Sequence, residues 1–156
     1  MIILGIDPGS TRVGYGVIET QGNKLHHVAS GLLRIGNSPA DAFREIEKNL
    51  EEIIREKKPV RMGIEKLFFV RNQKTGIRVA EARGVILNTA SKMGLEIQEF
   101  SPSEIKLAVS GSGNASKRGV AKMVRYFIKL PEEKMIDDVS DALAVAIAAS
   151  RSHLNR

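Results

Sequence analysis

MIILGIDPGS, at residues 1–10, is the stretch that decides the fold. Residues 1–6 are almost continuously apolar, which is typical of a strand buried on both faces. Asp7 follows this strand, and a Pro-Gly-Ser turn leads into a second strand at residues 11–19. A carboxylate at the end of a buried strand is unfavourable unless a cation meets it. The sequence therefore predicts a buried strand that carries a functional acid at its carboxyl end.

The composition indicates a single domain at residues 1–156, long enough for a core of mixed helices and strands. The chain has no cysteine, which excludes disulfides and Cys-ligated metal centres. No apolar stretch reaches the roughly 20 residues that span a bilayer. No basic leader precedes the first strand. We therefore expect a cytoplasmic protein that does not associate with membranes.

The positive charge is concentrated in two stretches, within a net charge of +6. Residues 66–78 contain four basic residues and no acidic residue. Residues 101–130 contain six basic residues and one acidic residue. Such clustering favours a polyanionic partner, nucleic acid above all, over the solvated surface of an ordinary basic protein.

Periodicity and turn residues predict the remaining secondary structure. The first helix has a clear start, with Ser38 as N-cap, Pro39 at the first helical position and Asp41 three residues after the cap. Three adjacent strands followed by alternating helices and strands predict an α/β fold, a mixed sheet with helices on both faces. Further strands are predicted at residues 24–35, 60–65 and 95–100, and further helices at residues 75–93, 102–109, 117–130 and 137–153.

Acidic residues stand at the ends of two further apolar segments. Glu65 ends the strand VRMGIE, and Asp138 and Asp141 open the last, strongly apolar helix. Together with Asp7, these acids come from three separate elements. Hard divalent cations prefer carboxylate oxygen, and no His or Cys accompanies the acids. The pattern predicts a site that binds divalent metal ions.

Spacing alone does not choose among the acids of the last helix. Asp137 and Asp141 share a helix face as well as Asp138 and Asp141 do. Asp137 directly precedes the helical run, which favours it as the N-cap. An isolated acidic helix start is more often a set of capping residues than a metal site. The presence of Asp7 and Glu65 reverses that preference.

These stretches resemble the ribonuclease-H-like nucleases and, among them, the RuvC family of bacterial Holliday-junction resolvases. The resemblance runs from residue 1 to about residue 150. It implies a mixed five-stranded sheet whose first three strands are antiparallel, with helices on both faces. It rests on IDPGS around Asp7, IE at Glu65, ARGV at residues 82–85, IK at Lys106, GSGNASK ending at Lys117, and DDVSDALAVA with Asp138 and Asp141.

The resemblance implies a structure-selective DNA endonuclease that resolves Holliday junctions by paired symmetric nicks, leaving 5′-phosphate and 3′-hydroxyl ends. It implies two Mg²⁺ ions per active site, for which Mn²⁺ could substitute. Asp7 would bridge both ions, Glu65 would bind one of them, and Asp138 with Asp141 would bind the other. These four residues are the predicted catalytic and metal-binding set.

Candidate DNA contacts lie in the two basic stretches. Phe68 matches the family's base-contacting phenylalanine, and one residue of the pair Phe68 and Phe69 is expected to pack into the core instead. The loop at residues 111–116 could present backbone amides to a phosphate or could be a simple connector. Tyr126 is expected to be a packing residue. The other predicted DNA contacts are Arg71, Asn72, Lys74, Arg78, Lys106, Lys117 and Arg118.

A twofold-symmetric junction requires two equivalent incisions, which a homodimer supplies. The resemblance implies such a dimer, and we expect its interface around Ala80, Gly84 and Leu87, where small residues permit close packing. It also implies partnership with a four-way DNA junction and with the RuvA–RuvB branch-migration complex.

Two other functions remain open. A ribonuclease-H-like nuclease that trims ribosomal RNA precursors would share the DPG turn and the acidic last helix. The stretch DPGST, at residues 7–11, also resembles the phosphate loop of the sugar-kinase and actin ATPases. Those ATPases need two such lobes to enclose ATP, and this chain has residues for one.

Overall fold

The computed structural model of the protein describes residues 1–36, 38–67, 73–130 and 135–152. No helix within these ranges is both long and apolar enough to cross a membrane. The strands are β1 (Ile2–Pro8), β2 (Arg12–Gln21), β3 (Lys24–Arg34), β4 (Arg61–Glu65) and β5 (Glu96–Phe100). The helices are α1 (Pro39–Lys57), α2 (Gln73–Lys92), α3 (Pro102–Ser110), α4 (Lys117–Ile128) and α5 (Asp137–Arg151).

The strands form one mixed sheet in the order β3-β2-β1-β4-β5. The pairs β1–β2 and β2–β3 are antiparallel, and β4 runs parallel to both β1 and β5. This confirms the predicted mixed sheet with three antiparallel strands at its start. Ile6 of β1 stands opposite Ile64 of β4. Asp7 and Glu65 therefore lie at the carboxyl ends of two neighbouring, parallel strands.

The two faces of the sheet pack against different helices, as predicted. Leu4 and Ile6 of β1 belong to a core cluster with residues of α1 and α2. Ile3 points to the opposite face and belongs to a cluster with residues of α3, α4 and α5. This alternation follows from the pleat, which sends successive side chains to opposite faces. Asp7 shares the face of Ile3, which is the face that α5 covers.

A row of glycines lets α5 lie directly on the sheet. Gly16, Gly5 and Gly63 are register partners across β2, β1 and β4. A Cβ on Gly5 would stand 2.1 Å from the carbonyl oxygen of Ala142, and one on Gly63 would stand 2.9 Å from the Cβ of Ala149. Side chains at these positions would force the helix away. The close approach fixes where the acidic first turn of α5 meets the sheet.

The start of α1 confirms the predicted cap, whereas the start of α5 corrects one. Ser38 Oγ accepts a hydrogen bond of 3.2 Å from the backbone N–H of Asp41. In α5 the N-cap is Ile136, and no side chain caps the helix. Asp137 is the first helical residue, and one of its carboxylate oxygens lies 3.7 Å from Lys117 Nζ. Its carboxylate faces this cation instead of folding back onto the helix amides.

Candidate active site

Asp7 and Glu65 reach the site because each follows a glycine that touches α5. Side chains two residues apart on a strand share a face. Asp7 lies two residues after Gly5, and Glu65 lies two residues after Gly63. Both carboxylates therefore extend beyond the glycine row on the same face, near the start of α5. The site is built where two parallel strands end, which is where ligands bind in α/β sheets.

Asp138 and Asp141 are brought to this edge by a further glycine. Gly14 of β2 is the register partner of Asp7. A Cβ on Gly14 would stand 2.1 Å from the carbonyl oxygen of Asp138, so the first turn of α5 rests on the backbone of β2 beside Asp7. The four predicted acids therefore gather at one edge of the sheet, although they are separated by up to 134 residues in sequence.

Burial and mutual repulsion raise the pKa of Asp7 to about 7. Burial is the largest cause, followed by the negative charges of Asp141, Glu65 and Asp138. The positive charge of Lys117 opposes the rise. Asp7 is therefore the acid that gains most from a bound cation, because it feels all three of the others.

Burial also raises the pKa of Glu65, and the charge of Asp141 adds to the effect. Lys117 and Lys106 both act in the opposite direction. Two of the predicted DNA-binding lysines thus lie within electrostatic range of the predicted metal ligands. Positive charge at this position is suited to a phosphate placed over the acids.

Two ion pairs neutralise part of the acidic charge. Lys117 Nζ lies 2.9 Å from an oxygen of Asp141, and this hydrogen bond is the largest cause that raises the pKa of Lys117. Arg12 Nε donates a hydrogen bond to Oδ2 of Asp138. Sequence reasoning missed Arg12. The available signal was its place directly after the turn that follows Asp7.

The donor set suits hard divalent cations, although it is not arranged as a finished metal site. Within the four described ranges, no three Asp, Glu or His side chains are close enough together to hold one metal ion. Two of the acids are engaged by Arg12 and Lys117 instead. Four carboxylates and no softer ligand match the preference of Mg²⁺ for oxygen. The residues therefore fit the predicted cofactor in chemistry, and side-chain movement would be needed to bind it.

Comparison with known proteins identifies the family. The family model described as "Crossover junction endodeoxyribonuclease RuvC" matches residues 3–149. The chain belongs to the RuvC family. The RuvC proteins of Heliobacterium modesticaldum and Halothermothrix orenii are 47% and 43% identical to it, over 97% and 100% of this chain and 95% and 96% of their own lengths. Membership makes the chain a hydrolase that acts on DNA, and decides against the ribosomal-RNA-trimming and ATPase alternatives.

Solved structures confirm the ribonuclease-H-like fold. The chain is similar to Thermus thermophilus RuvC solved in complex with a Holliday junction substrate, with a TM-score of 0.90 and 29% identity over 96% of this chain and 93% of that chain. A yeast mitochondrial Holliday junction resolvase, at 14% identity and a TM-score of 0.69, shares the fold over 94% of this chain and 76% of its own. The resemblance to the RuvC family is therefore confirmed.

The predicted DNA contacts of this RuvC-family chain fall into three groups. Phe68, Arg71 and Asn72 lie outside the described residues. Lys106 and Lys117 stand at the acids, where both line one pocket with Glu65 and Asp141. The others lie apart from that pocket: Lys74 and Arg78 are exposed in the first half of α2, and Arg118 is exposed at the second position of α4.

A broad groove leads away from the acids along α4. Its walls include Lys117, Arg118 and Lys122 of α4, together with Asp141 of α5. Tyr126 also lines it and is 74% exposed, so the expectation that it is a packing residue is wrong. It lies two turns after Arg118 on α4, and thus on the same side of the helix.

Arg83, in the ARGV stretch that carries the resemblance, supports the site from α2. Its Nε donates a hydrogen bond of 3.1 Å to the carbonyl oxygen of Glu65, and its Nη2 forms an ion pair with the carboxylate of Glu99 of β5. The side chain of Arg83 is only 15% exposed. Arg83 therefore fixes the backbone at the end of β4, where Glu65 begins its reach toward the other acids. Sequence reasoning did not assign it this role.

Proposed function

We propose that this RuvC-family chain is a structure-selective endonuclease that resolves Holliday junctions, with Asp7, Glu65, Asp138 and Asp141 as its catalytic residues. One observation carries the proposal: four carboxylates from three elements meet at one end of the sheet, where burial and the charges of Asp141, Glu65 and Asp138 raise the pKa of Asp7 to about 7. Strongly perturbed pKa values occur at functional sites more often than at structural ones.

We propose Mg²⁺ as the cofactor, two ions per site, with Mn²⁺ able to substitute. Asp7 would contact both ions, Glu65 one of them, and Asp138 with Asp141 the other. When bound, such ions polarise the scissile phosphate, make water nucleophilic and stabilise the leaving 3′ oxygen. The half-buried Asp7 extends from the central strand β1, whose backbone is paired with β2 and β4, and this fixed backbone suits a ligand shared by two ions.

The surrounding residues would bind and orient the phosphodiester. Lys106 and Lys117 line the pocket that contains Glu65 and Asp141, so a phosphate there would be held between acids and lysines. Lys117 would release Asp141 when metal binds and neutralise charge on the phosphate. The products would carry 5′-phosphate and 3′-hydroxyl ends.

The groove along α4 gives the DNA strand a path away from the cut. Lys117, Arg118 and Lys122 supply positive charge along it, which suits a phosphate backbone. Tyr126 offers an exposed ring on which a base could stack. We propose Lys74, Arg78, Phe68, Arg71 and Asn72 as further contacts to the junction.

We propose that the chain acts as a homodimer of single-domain subunits in the cytoplasm, in partnership with RuvA–RuvB. Gly84 is exposed on α2, and a Cβ added there would meet nothing of the described chain within 4 Å. Among the residues that the structure describes, Gly84 thus makes no close contact that would explain a glycine in a helix. Close contact between α2 and a second copy of the chain would explain why position 84 is a glycine.

The experiment that tests this function compares three substrates with the full chain. A synthetic four-way junction, a linear duplex of the same sequence and a single strand are incubated with Mg²⁺ or with EDTA. We expect paired nicks at symmetric positions in the junction, with Mg²⁺ only, and ends that DNA ligase can seal. Equal cutting of linear duplex, or cutting in EDTA, would contradict the proposal.

A further inference from the structure

We propose that Arg12 is a substrate-binding residue of this site, held by Asp138 until metal binds and then free to bind a DNA phosphate. The proposal rests on the function proposed above. It names a second cation at the acids: Arg12 comes from β2 and pairs with Asp138, whereas Lys117 comes from α4 and pairs with Asp141.

Arg12 is directed to the acids by the architecture of β2. It begins this strand and lies two residues before Gly14, so both residues share the face toward α5. Gly14 has no side chain and lets the first turn of α5 contact the strand. The guanidinium of Arg12 can therefore reach around the end of that turn and pair with Asp138.

The ion pair of Arg12 and metal binding compete for the same carboxylate. The hydrogen bond from Arg12 Nε ends on Oδ2 of Asp138, an oxygen that a metal ion would need or would closely approach. A divalent cation at Asp138 would also repel a guanidinium at hydrogen-bond distance. Lys117 and a metal ion would compete for Asp141 in the same way. Metal binding therefore sets Arg12 free.

A released Arg12 would remain at the mouth of the site. Its side chain is 53% exposed even while it is paired, so leaving Asp138 requires no opening of the core. A guanidinium binds phosphate through two parallel hydrogen bonds, which favours a backbone phosphate as its second partner. Arg12, from β2, and Lys117, from α4, would then both bind the DNA strand next to the acids.

The first test measures binding of Mn²⁺ alone, without DNA, by electron paramagnetic resonance of the free ion. Arg12→Gln removes the competitor, and we expect it to tighten Mn²⁺ binding about two- to fivefold, as suits a partly exposed ion pair. Arg55→Gln is the control, because Arg55 is an exposed arginine in an ion pair with Glu51 on α1, across the sheet. Unchanged or weaker Mn²⁺ binding by Arg12→Gln overturns the competition.

The second test measures junction binding as a function of salt, in Ca²⁺ and in EDTA, with confirmation that the DNA stays uncut. If Arg12 binds phosphate only when metal is present, Arg12→Gln should lower the slope of log K against log salt by about 0.9 in Ca²⁺ and leave it unchanged in EDTA. Arg12→Lys keeps the charge and should restore the slope. Equal slopes for wild type and Arg12→Gln in Ca²⁺ overturn the phosphate contact.

These outcomes are separable from failure of the proposed function. Both tests use binding and not cleavage. If wild type cuts no junction, the proposed function fails whatever Arg12 does. If wild type cuts junctions and Arg12→Gln alters neither Mn²⁺ binding nor the salt slope, the inference about Arg12 fails alone.

Discussion

Lys117 Nζ lies 2.9 Å from Oδ2 of Asp141, so the first residue of α4 is tied to the fifth residue of α5. The positive charge of the same ammonium group opposes the rise in the pKa of both Asp7 and Glu65. One cation thus interacts with acids from three different elements. Its position makes it the residue best placed to respond when metal and phosphate enter.

We expect Lys117→Ala to slow junction cleavage far more than it weakens junction binding. One phosphate contact among many contributes little to affinity. A positive charge aimed at the reacting phosphate is worth about 10²–10³-fold in rate. Single-turnover cleavage and a binding titration in Ca²⁺ measure the two effects. Lys122→Ala is the control, because Lys122 lines the proposed DNA groove but not the pocket at Glu65 and Asp141, and it should change rate and affinity to the same small extent. Equal losses in rate and affinity for Lys117→Ala would make Lys117 an affinity residue only.

The raised pKa of Asp7 predicts an inverse dependence of stability on pH. The folded protein keeps this proton up to about pH 7, whereas the unfolded chain loses it near 3.8. Stability should therefore fall as pH rises from about 4 to 7, by an upper limit of roughly 4 kcal/mol. Without metal, Asp7→Asn should be more stable than wild type at pH 8, and the gain should shrink toward pH 4.

Urea denaturation in EDTA at several pH values measures this effect. Glu104 supplies a control of opposite sign, because its hydrogen bond from the Ser101 backbone N–H lowers its pKa. Glu104→Gln should lose stability at pH 8, and that loss should vanish as pH falls through the lowered pKa. If Asp7→Asn is no more stable than wild type at pH 8, the charge repulsion described for this site is wrong.

The sequence predicts the acids because each stands at one end of an apolar segment. Asp7 and Glu65 end predicted strands, and Asp138 and Asp141 open a predicted helix. Parallel neighbours in an α/β sheet bring Asp7 and Glu65 together without further information. Arg12 and Arg83 could not be found in this way, because their partners, Asp138 and the carbonyl of Glu65, are remote in sequence. Long-range pairing of a surface cation depends on the packing of α5 and α2, which periodicity does not encode.

The ends of the helices are predicted correctly where the deciding contact is local in sequence, and incorrectly where it comes from another element. Ser38 was recognised as a cap because its partner Asp41 is three residues away. Asp137 was misassigned because Lys117, the cation it faces, comes from α4. The helix α4 stops at Ile128, before the predicted residue 130, because Lys129 adopts a left-handed conformation with φ of 50°. Such a conformation is uncommon for lysine, and the neighbouring residues in the sequence do not predict it.

Gly84 tests the homodimer. Gly84→Ala should stabilise the isolated subunit by up to about 1 kcal/mol, because alanine is the better helix former and its Cβ meets nothing within the described chain. Gly84→Arg should weaken self-association at least tenfold in sedimentation equilibrium. Gln21→Arg adds the same charge at an exposed site on β2 and should leave association unchanged. Unaltered association of Gly84→Arg would place the interface elsewhere.

Phe68, which lies outside the described residues, is predicted to contact bases, and one way for it to act is to unstack bases at the centre of the junction. If its ring unstacks bases at the branch point, Phe68→Ala should lose roughly 1–3 kcal/mol of productive engagement, seen as slower cutting of an intact junction. A junction with unpaired bases at its centre should recover much of the rate. If Phe68 is instead a core residue, Phe68→Ala should lower the free energy of unfolding by about 3–5 kcal/mol. A large drop in melting temperature without rescue by the opened junction rules the base contact out.

The most direct test of the active site is the effect of Asp7→Asn on cutting and binding of the same four-way junction. Asparagine is nearly isosteric with aspartate and removes the charge that a ligand shared by two cations requires. We predict that the variant loses cleavage in Mg²⁺ and in Mn²⁺ while its junction affinity in EDTA stays within about threefold of wild type, since no metal contact is lost there. Cleavage by Asp7→Asn at a rate near that of wild type would contradict the assignment of these four acids as the catalytic centre.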